Sequence, residues 1–195
     1  MSECVLYQSE TAHGTQELSI ESMMLLKRRI MIDNETFSSE GIKSFFKKWL
    51  YLQESSEPIT VYINSTGGEV NAGLLAYDII QSSKSPVDIY CAGVAYSMAA
   101  VVLAAGWKGR RFILPHSRVM IHEPLIAGGV GGSATSISRV SESILETRQT
   151  LNGILAQHTG KTVDEINAAT AFDNMMNAEQ AVEFGICDKV VDSLF

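Results

Sequence analysis

The chain has 195 residues, 46% of them hydrophobic and 19% charged, enough for one compact domain that buries roughly 70% of its unfolded surface. A formal net charge of -7 argues against a nucleic-acid binder, since affinity for phosphate backbones comes from clustered Lys and Arg. The only basic clusters, Lys27-Arg28-Arg29 and Lys108–Arg111, are short. Cys4, Cys91 and Cys187 are odd in number and lack metal-ligand spacing, which predicts reduced thiols, a cytoplasmic location and no metal site.

Taken in order, residues 1–19 carry no hydrophobic period, which predicts a mobile arm or a trimmed leader and no apolar signal segment. A single domain is expected over 20–195. A short helix at 22–26 leads to a strand at 29–32, and Ser38-Ser39-Glu40 opens a helix. There Ile42, Phe45, Phe46, Trp49 and Leu50 recur at spacings of three and four, predicting one broad apolar stripe against the core. After Pro58, residues 59–64 read as a buried strand, Gly67-Gly68 as a tight turn, and Val70–Gln81 as a helix burying Leu74, Leu75 and Ile79. With the next strand at Val87 this makes a βαβ unit and a parallel pair.

Residues 89–107 contain no charge, but they are too rich in Ala, Gly and Ser for a membrane span and read as a core element. Val87–Cys91 has strand composition, Met98–Ala105 has helix composition, and Ser97 sits at the join. In a parallel sheet ligands bind at the carboxyl ends of strands, and the following helix offers unpaired N–H groups and a positive dipole end. Taken alone, such a serine is an ordinary helix cap; only its context makes it a nucleophile. The Gly67-Gly68 turn lies at the same sheet end, where a residue without Cβ lets a carbonyl approach backbone N–H groups, with the Met98 N–H as a second donor.

Strands at 111–114 and 118–121 follow, and the second delivers His122 immediately before Glu123-Pro124, placing it to face a cleft. His13 lies in the polar arm, His116 in a turn, and His158 at a helix end where a cation favours the dipole. The run at 127–132 is too glycine-rich for a regular element. It precedes a long helix over 134–158 with Ile137, Val140, Ile144, Leu151 and Leu155 on one face, stopped by Gly160. At roughly 35 Å that helix projects beyond a small domain and invites an oligomer. Thr162–Glu165 and Asn177–Gln180 form capping boxes, Asp173 falls in the loop between them, and 186–191 closes the sheet.

Four segments together resemble the proteolytic subunit of the Clp protease: 62–68 (YINSTGG), 93–98 (GVAYSM), 114–124 (LPHSRVMIHEP) and 178–188. The resemblance runs in order from about residue 26 to residue 191. It implies an α/β fold of the ClpP/crotonase type, a repeated ββα superhelix with a parallel-strand core and a projecting long helix, with 127–158 as the ring-contact segment. It implies a serine endopeptidase without cofactor or metal, with Ser97 as nucleophile, His122 as general base, Asp173 as the orienting acid, and the Gly68 and Met98 N–H groups as oxyanion hole. Spacing does not single out Asp173 among the aspartates; the resemblance does. Family members form two stacked seven-subunit rings and receive unfolded chains from hexameric ATPase unfoldases. Tyr62, Tyr90 and Phe112 match the aromatic positions of the unfoldase-docking cleft. Nucleic-acid and membrane partners are not expected.

The sequence departs from the family pattern at several places. Thr66 stands for the usual Pro, Tyr96 for a small residue and thus narrows the expected pocket, and Glu123 for the usual Gln. Phe172 stands for an Arg that contacts the opposite ring, and the segment 128–132 is glycine-rich. These departures point to a divergent paralogue, either active or a weakly active, regulatory subunit of mixed rings. An acyl-CoA hydratase or isomerase of the same fold is a third reading, disfavoured because those enzymes use carboxylates on a thioester.

Overall fold

The computed structural model describes residues 6–11 and 14–194. The arm expected over 1–19 lies partly outside these, as do Cys4 and His13. Within them, β1 (Leu6–Thr11) and β2 (Gly14–Ser19) pair antiparallel as a separate two-stranded sheet. Helix α1 (Ile20–Leu26) starts two residues before the expected position because the Ser19 side chain accepts the Ser22 N–H and caps it there.

Among the described residues the main sheet contains seven strands. Strands β3 (Arg29–Ile32), β4 (Ile59–Ser65) and β5 (Val87–Tyr96) pair in parallel, with α2 (Gly41–Leu52) and α3 (Val70–Gln81) as the crossovers. After α4 (Met98–Ala104) come β6 (Arg111–Ile113) and β7 (Arg118–Ile121), both parallel to β5. Helices α5 (Ala134–Thr159) and α6 (Val163–Thr170) precede β8 (Asn174–Met176), which runs antiparallel to β7. Finally α7 (Ala178–Phe184) leads to β9 (Lys189–Val190), parallel to β6. Both expected capping boxes form, at Thr162–Glu165 and Asn177–Gln180.

The strand β5 serves two partners. Its first half, through Cys91, pairs with β6, and its second half, 94–96, pairs with β7. The change of partner occurs at Gly93, whose φ of 117° suits glycine alone and where an added Cβ would lie 2.5 Å from Asn64 Oδ1. The Gly93 N–H donates to Ser117 Oγ and the Val94 N–H to Asn64 Oδ1, so side chains satisfy the backbone where the ladder is broken. This bend carries Ser97 toward the end of β7.

All seven residues of α4 are buried, so the uncharged stretch is the central packing helix of the core. Among the described residues no helix is long and apolar enough to cross a membrane. Two apolar stripes differ from expectation. In α2, Ile42, Phe45, Trp49 and Leu52 are buried while Phe46 and Leu50 are exposed, because each follows a buried residue by one position and is rotated about 100° from it. In α3 the helix packs through Ala72, Gly73, Ala76, Ile79 and Ile80, and Leu75 is left exposed. In α5 no residue before Leu151 is buried; Ile137 and Val140 face solvent, and the helix projects from the domain.

Candidate active site

Ser97 connects β5 directly to α4 with φ 54° and ψ −124°, a conformation that L-residues rarely adopt. Its N–H donates to the Met120 carbonyl at 2.8 Å, which fixes the turn against β7. Two residues beyond Met120 stands His122, and its Nε2 lies 2.8 Å from Ser97 Oγ. On the other side of the ring, His122 Nδ1 lies 3.2 Å from Asp173 Oδ1. With the carboxylate accepting from Nδ1–H, Nε2 is left to accept the serine proton. The His122 side chain is 16% exposed, whereas that of Asp173 is 73% exposed.

Asp173 is pinned from both sides. The Glu123 N–H donates to the Thr170 carbonyl at 2.8 Å, and Ile121 is the β-ladder partner of Asn174. His122 therefore sits between two residues tied to the two ends of the loop that carries Asp173. Residues 51 apart in sequence meet through two backbone junctions.

A pocket of about 260 Å³ opens beside Ser97 and His122. Its walls include Val70, Val101, Leu125, Leu151 and Leu155, and both Gly68 and Met98 line it. Neither the Gly68 nor the Met98 N–H has a hydrogen-bond acceptor among the described residues, so both donors are open to a ligand. Glycine at 68 also has a packing reason, since a Cβ there would lie 2.5 Å from the Phe37 carbonyl oxygen.

The departures each find a place. The Thr66 N–H, which Pro would lack, donates to Asn34 Oδ1 at 2.7 Å, and its hydroxyl donates to the same oxygen. Tyr96 is not part of the pocket wall, contrary to expectation. Successive strand residues point to opposite faces, and Ala95 is the one turned into the core. Glu123 lies at ion-pair distance, 3.5 Å, from Arg148 Nε on α5. Phe172 is 86% exposed, and the segment 127–132 forms neither helix nor strand.

His116 lies in a turn away from the pocket. His158 differs from the expected helix-end cation. Burial and the nearby Arg111 charge push its pKa down, and its Nε2 meets the Tyr77 hydroxyl at 3.0 Å. Tyr62, Tyr90 and Phe112 are ladder partners on adjacent strands and form an aromatic row, with ring centroids 5.7 and 4.7 Å apart. Sequence reasoning missed Asn152, buried and lining the pocket, and its buried hydrogen-bond partner Thr170. The available signal was a polar residue inside the apolar stripe of α5, between Leu151 and Leu155.

A parallel-sheet domain that sets a serine, a histidine and an aspartate in line beside two open backbone amides is a serine hydrolase by class. The family model described as Clp protease matches residues 12–194. A relative from Bdellovibrio bacteriovorus, named ATP-dependent Clp protease proteolytic subunit, is 41% identical over 187 residues, covering 94% of this chain and 88% of the relative. The chain belongs to the Clp protease family and is a serine peptidase of the Clp system.

Proposed function

We propose that Ser97, His122 and Asp173 are the catalytic triad and that the chain hydrolyses peptide bonds of unfolded polypeptides. The observation that carries this reading is the unbroken line from Ser97 Oγ through the His122 ring to Asp173, at 2.8 and 3.2 Å. His122 Nε2 takes the hydroxyl proton as Ser97 Oγ bonds to the scissile carbonyl carbon, and Asp173 stabilises the imidazolium so formed. The tetrahedral oxygen gathers its charge against the Gly68 and Met98 N–H groups; removing one such donor costs about 3 kcal/mol of transition-state stabilisation. His122 returns the proton to the leaving amine, and a water molecule then repeats the sequence on the acyl-enzyme. The apolar walls of the pocket suit an apolar side chain next to the scissile bond.

The same reading makes this chain a subunit of stacked seven-membered rings, alone or mixed with a paralogue. The projecting α5 and the 127–132 segment lie at the ring contact, and a hexameric ATPase unfoldase docks on the aromatic row of Tyr62, Tyr90 and Phe112. The name of the relative, which couples ATP dependence to a proteolytic subunit, supports that partnership. A cytoplasmic location fits the unpaired, buried thiols of Cys91 and Cys187. The aligned triad gives no support to a purely regulatory subunit.

Treatment of the purified protein with a fluorophosphonate probe and a short fluorogenic peptide tests the reading. Labelling and turnover that vanish in Ser97→Ala are expected. Labelling that persists in Ser97→Ala, or peptide turnover unaffected by it, overturns the assignment.

A further inference from the structure

Asn152 is 1% exposed, yet it carries a carboxamide at a core position of α5. An unpaired amide there would cost about 1–3 kcal/mol, so what it bonds to is informative. Its Nδ2 donates to Asn167 Oδ1 at 2.8 Å and to Thr170 Oγ1 at 3.2 Å, which uses both of its protons. The Thr170 hydroxyl, fully buried, donates in turn to the Ile166 carbonyl at 2.9 Å. Thr170 is therefore held in place by its side chain while its carbonyl holds the Glu123 N–H at 2.8 Å.

That last bond is one of the two junctions that set the separation of His122 and Asp173. The other, between Ile121 and Asn174, belongs to a β-ladder and needs no side chain. The Thr170–Glu123 tie stands outside any ladder, at the end of a short helix, and depends on what fixes Thr170. One turn earlier on the same face of α5, Arg148 reaches Glu123 at 3.5 Å. The long helix thus contacts this junction from both sides.

We propose that Asn152 is a positioning residue for the triad: by fixing Thr170 it holds the Thr170–Glu123 tie and, through it, the His122–Asp173 separation. This inference rests on the triad reading. It makes the seating of the projecting helix a determinant of turnover, although α5 contributes no group to the reacting atoms. A displacement of about 1 Å in such a support can cost about a hundredfold in rate.

The test is a double-mutant cycle read by steady-state hydrolysis of a fluorogenic peptide with the full chain. Asn152→Leu keeps the branching and heavy-atom count of the side chain, with two slightly larger methyl groups, and removes both donors. The expected result is a fall in kcat of about tenfold or more with KM changed by less than about twofold. In an Asp173→Asn background the same substitution should cost less than about threefold, because there is no aligned carboxylate left to misplace. Equal losses in both backgrounds, a rise in KM alone, or unchanged kinetics would overturn the proposal. If Asp173→Asn by itself leaves kcat unchanged, the triad reading fails and this inference fails with it. If Asp173→Asn lowers kcat and Asn152→Leu does not, only the positioning role is lost. Should Asn152→Leu not fold, Thr170→Val breaks the same contact from the other side and carries the same expected and overturning results.

Discussion

The backbone amide of Ser97 donates to the carbonyl of Met120 at 2.8 Å, so the strand ending at the serine and the strand ending at the histidine are bonded at their last shared position. His122 lies two residues beyond that bond, and the serine side chain is presented to it by a turn with φ 54°. Ser97 thus occupies a backbone conformation suited to glycine, and strain of this kind costs on the order of 1–3 kcal/mol. Ser97→Gly and Ser97→Ala should both abolish peptide hydrolysis, but Ser97→Gly should be the more stable by about 1 kcal/mol in urea unfolding. Equal midpoints would show that the turn is unstrained.

The Arg111 and Asp188 side chains, 5% and 16% exposed, form a two-pronged pair, and Asp188 also accepts the backbone N–H groups of Gly109 and Arg111. Removing one partner leaves a buried charge, so Arg111→Met should lose about 3–5 kcal/mol, and Arg111→Met with Asp188→Leu should recover part of it. Denaturant midpoints of the two variants decide this.

Burial raises the Asp188 pKa, but the Arg111 hydrogen bonds and charge outweigh it and the net direction is down. A carboxyl with a depressed folded pKa contributes stability above its unfolded value of about 3.9 and loses it as pH falls through the folded value. In Arg111→Met much of this acid-sensitive contribution is gone. The Tm gap between wild type and that variant should therefore narrow as pH drops below about 4. A constant gap contradicts the linkage.

His158 has the opposite consequence to the helix-end cation expected from sequence. Its pKa is lowered by burial and by Arg111, so protons bind the unfolded chain more readily and stability is lost as pH falls below the unfolded value of about 6.5. Wild type should lose Tm relative to His158→Gln between about pH 7.5 and 5.5, with Gln retaining a partner for the Tyr77 hydroxyl. Parallel Tm profiles of the two proteins would refute the shift.

Thr66 donates its N–H to Asn34 at the position where the resemblance leads one to expect Pro. Thr66→Pro should lose about 1 kcal/mol by leaving Asn34 Oδ1 without both donors. A urea midpoint equal to wild type would mean that the bond contributes nothing.

Burial pushes the Cys91 thiol up to about 12, so the thiolate is scarce at neutral pH. Alkylation with iodoacetamide should be slow in the native protein and rapid in denaturant; fast native labelling at Cys91 would contradict its burial.

The local chemistry of the chain was written in its sequence. Gly, Pro and capping residues place most helix and strand limits within two residues, and the uncharged 89–107 stretch, rich in small residues, identifies the central core. Those signals act over a few neighbours, through backbone dihedrals and caps, and so survive without knowledge of the fold. Which side of α2 and α3 is buried was less legible: Phe46, Leu50 and Leu75 fit the apolar period but lie one helical step off the contact line, which the partner helices set. Composition and spacing pointed to Ser97 and His122, while Asp173 needed the family resemblance. The tertiary structure alone decided how a loop 51 residues from His122 is pinned to it through Thr170–Glu123 and Ile121–Asn174, and why a carboxamide is buried at Asn152. Such pairings depend on strand register and helix seating, which are fixed by the packing of the whole domain and leave no periodic trace in the chain.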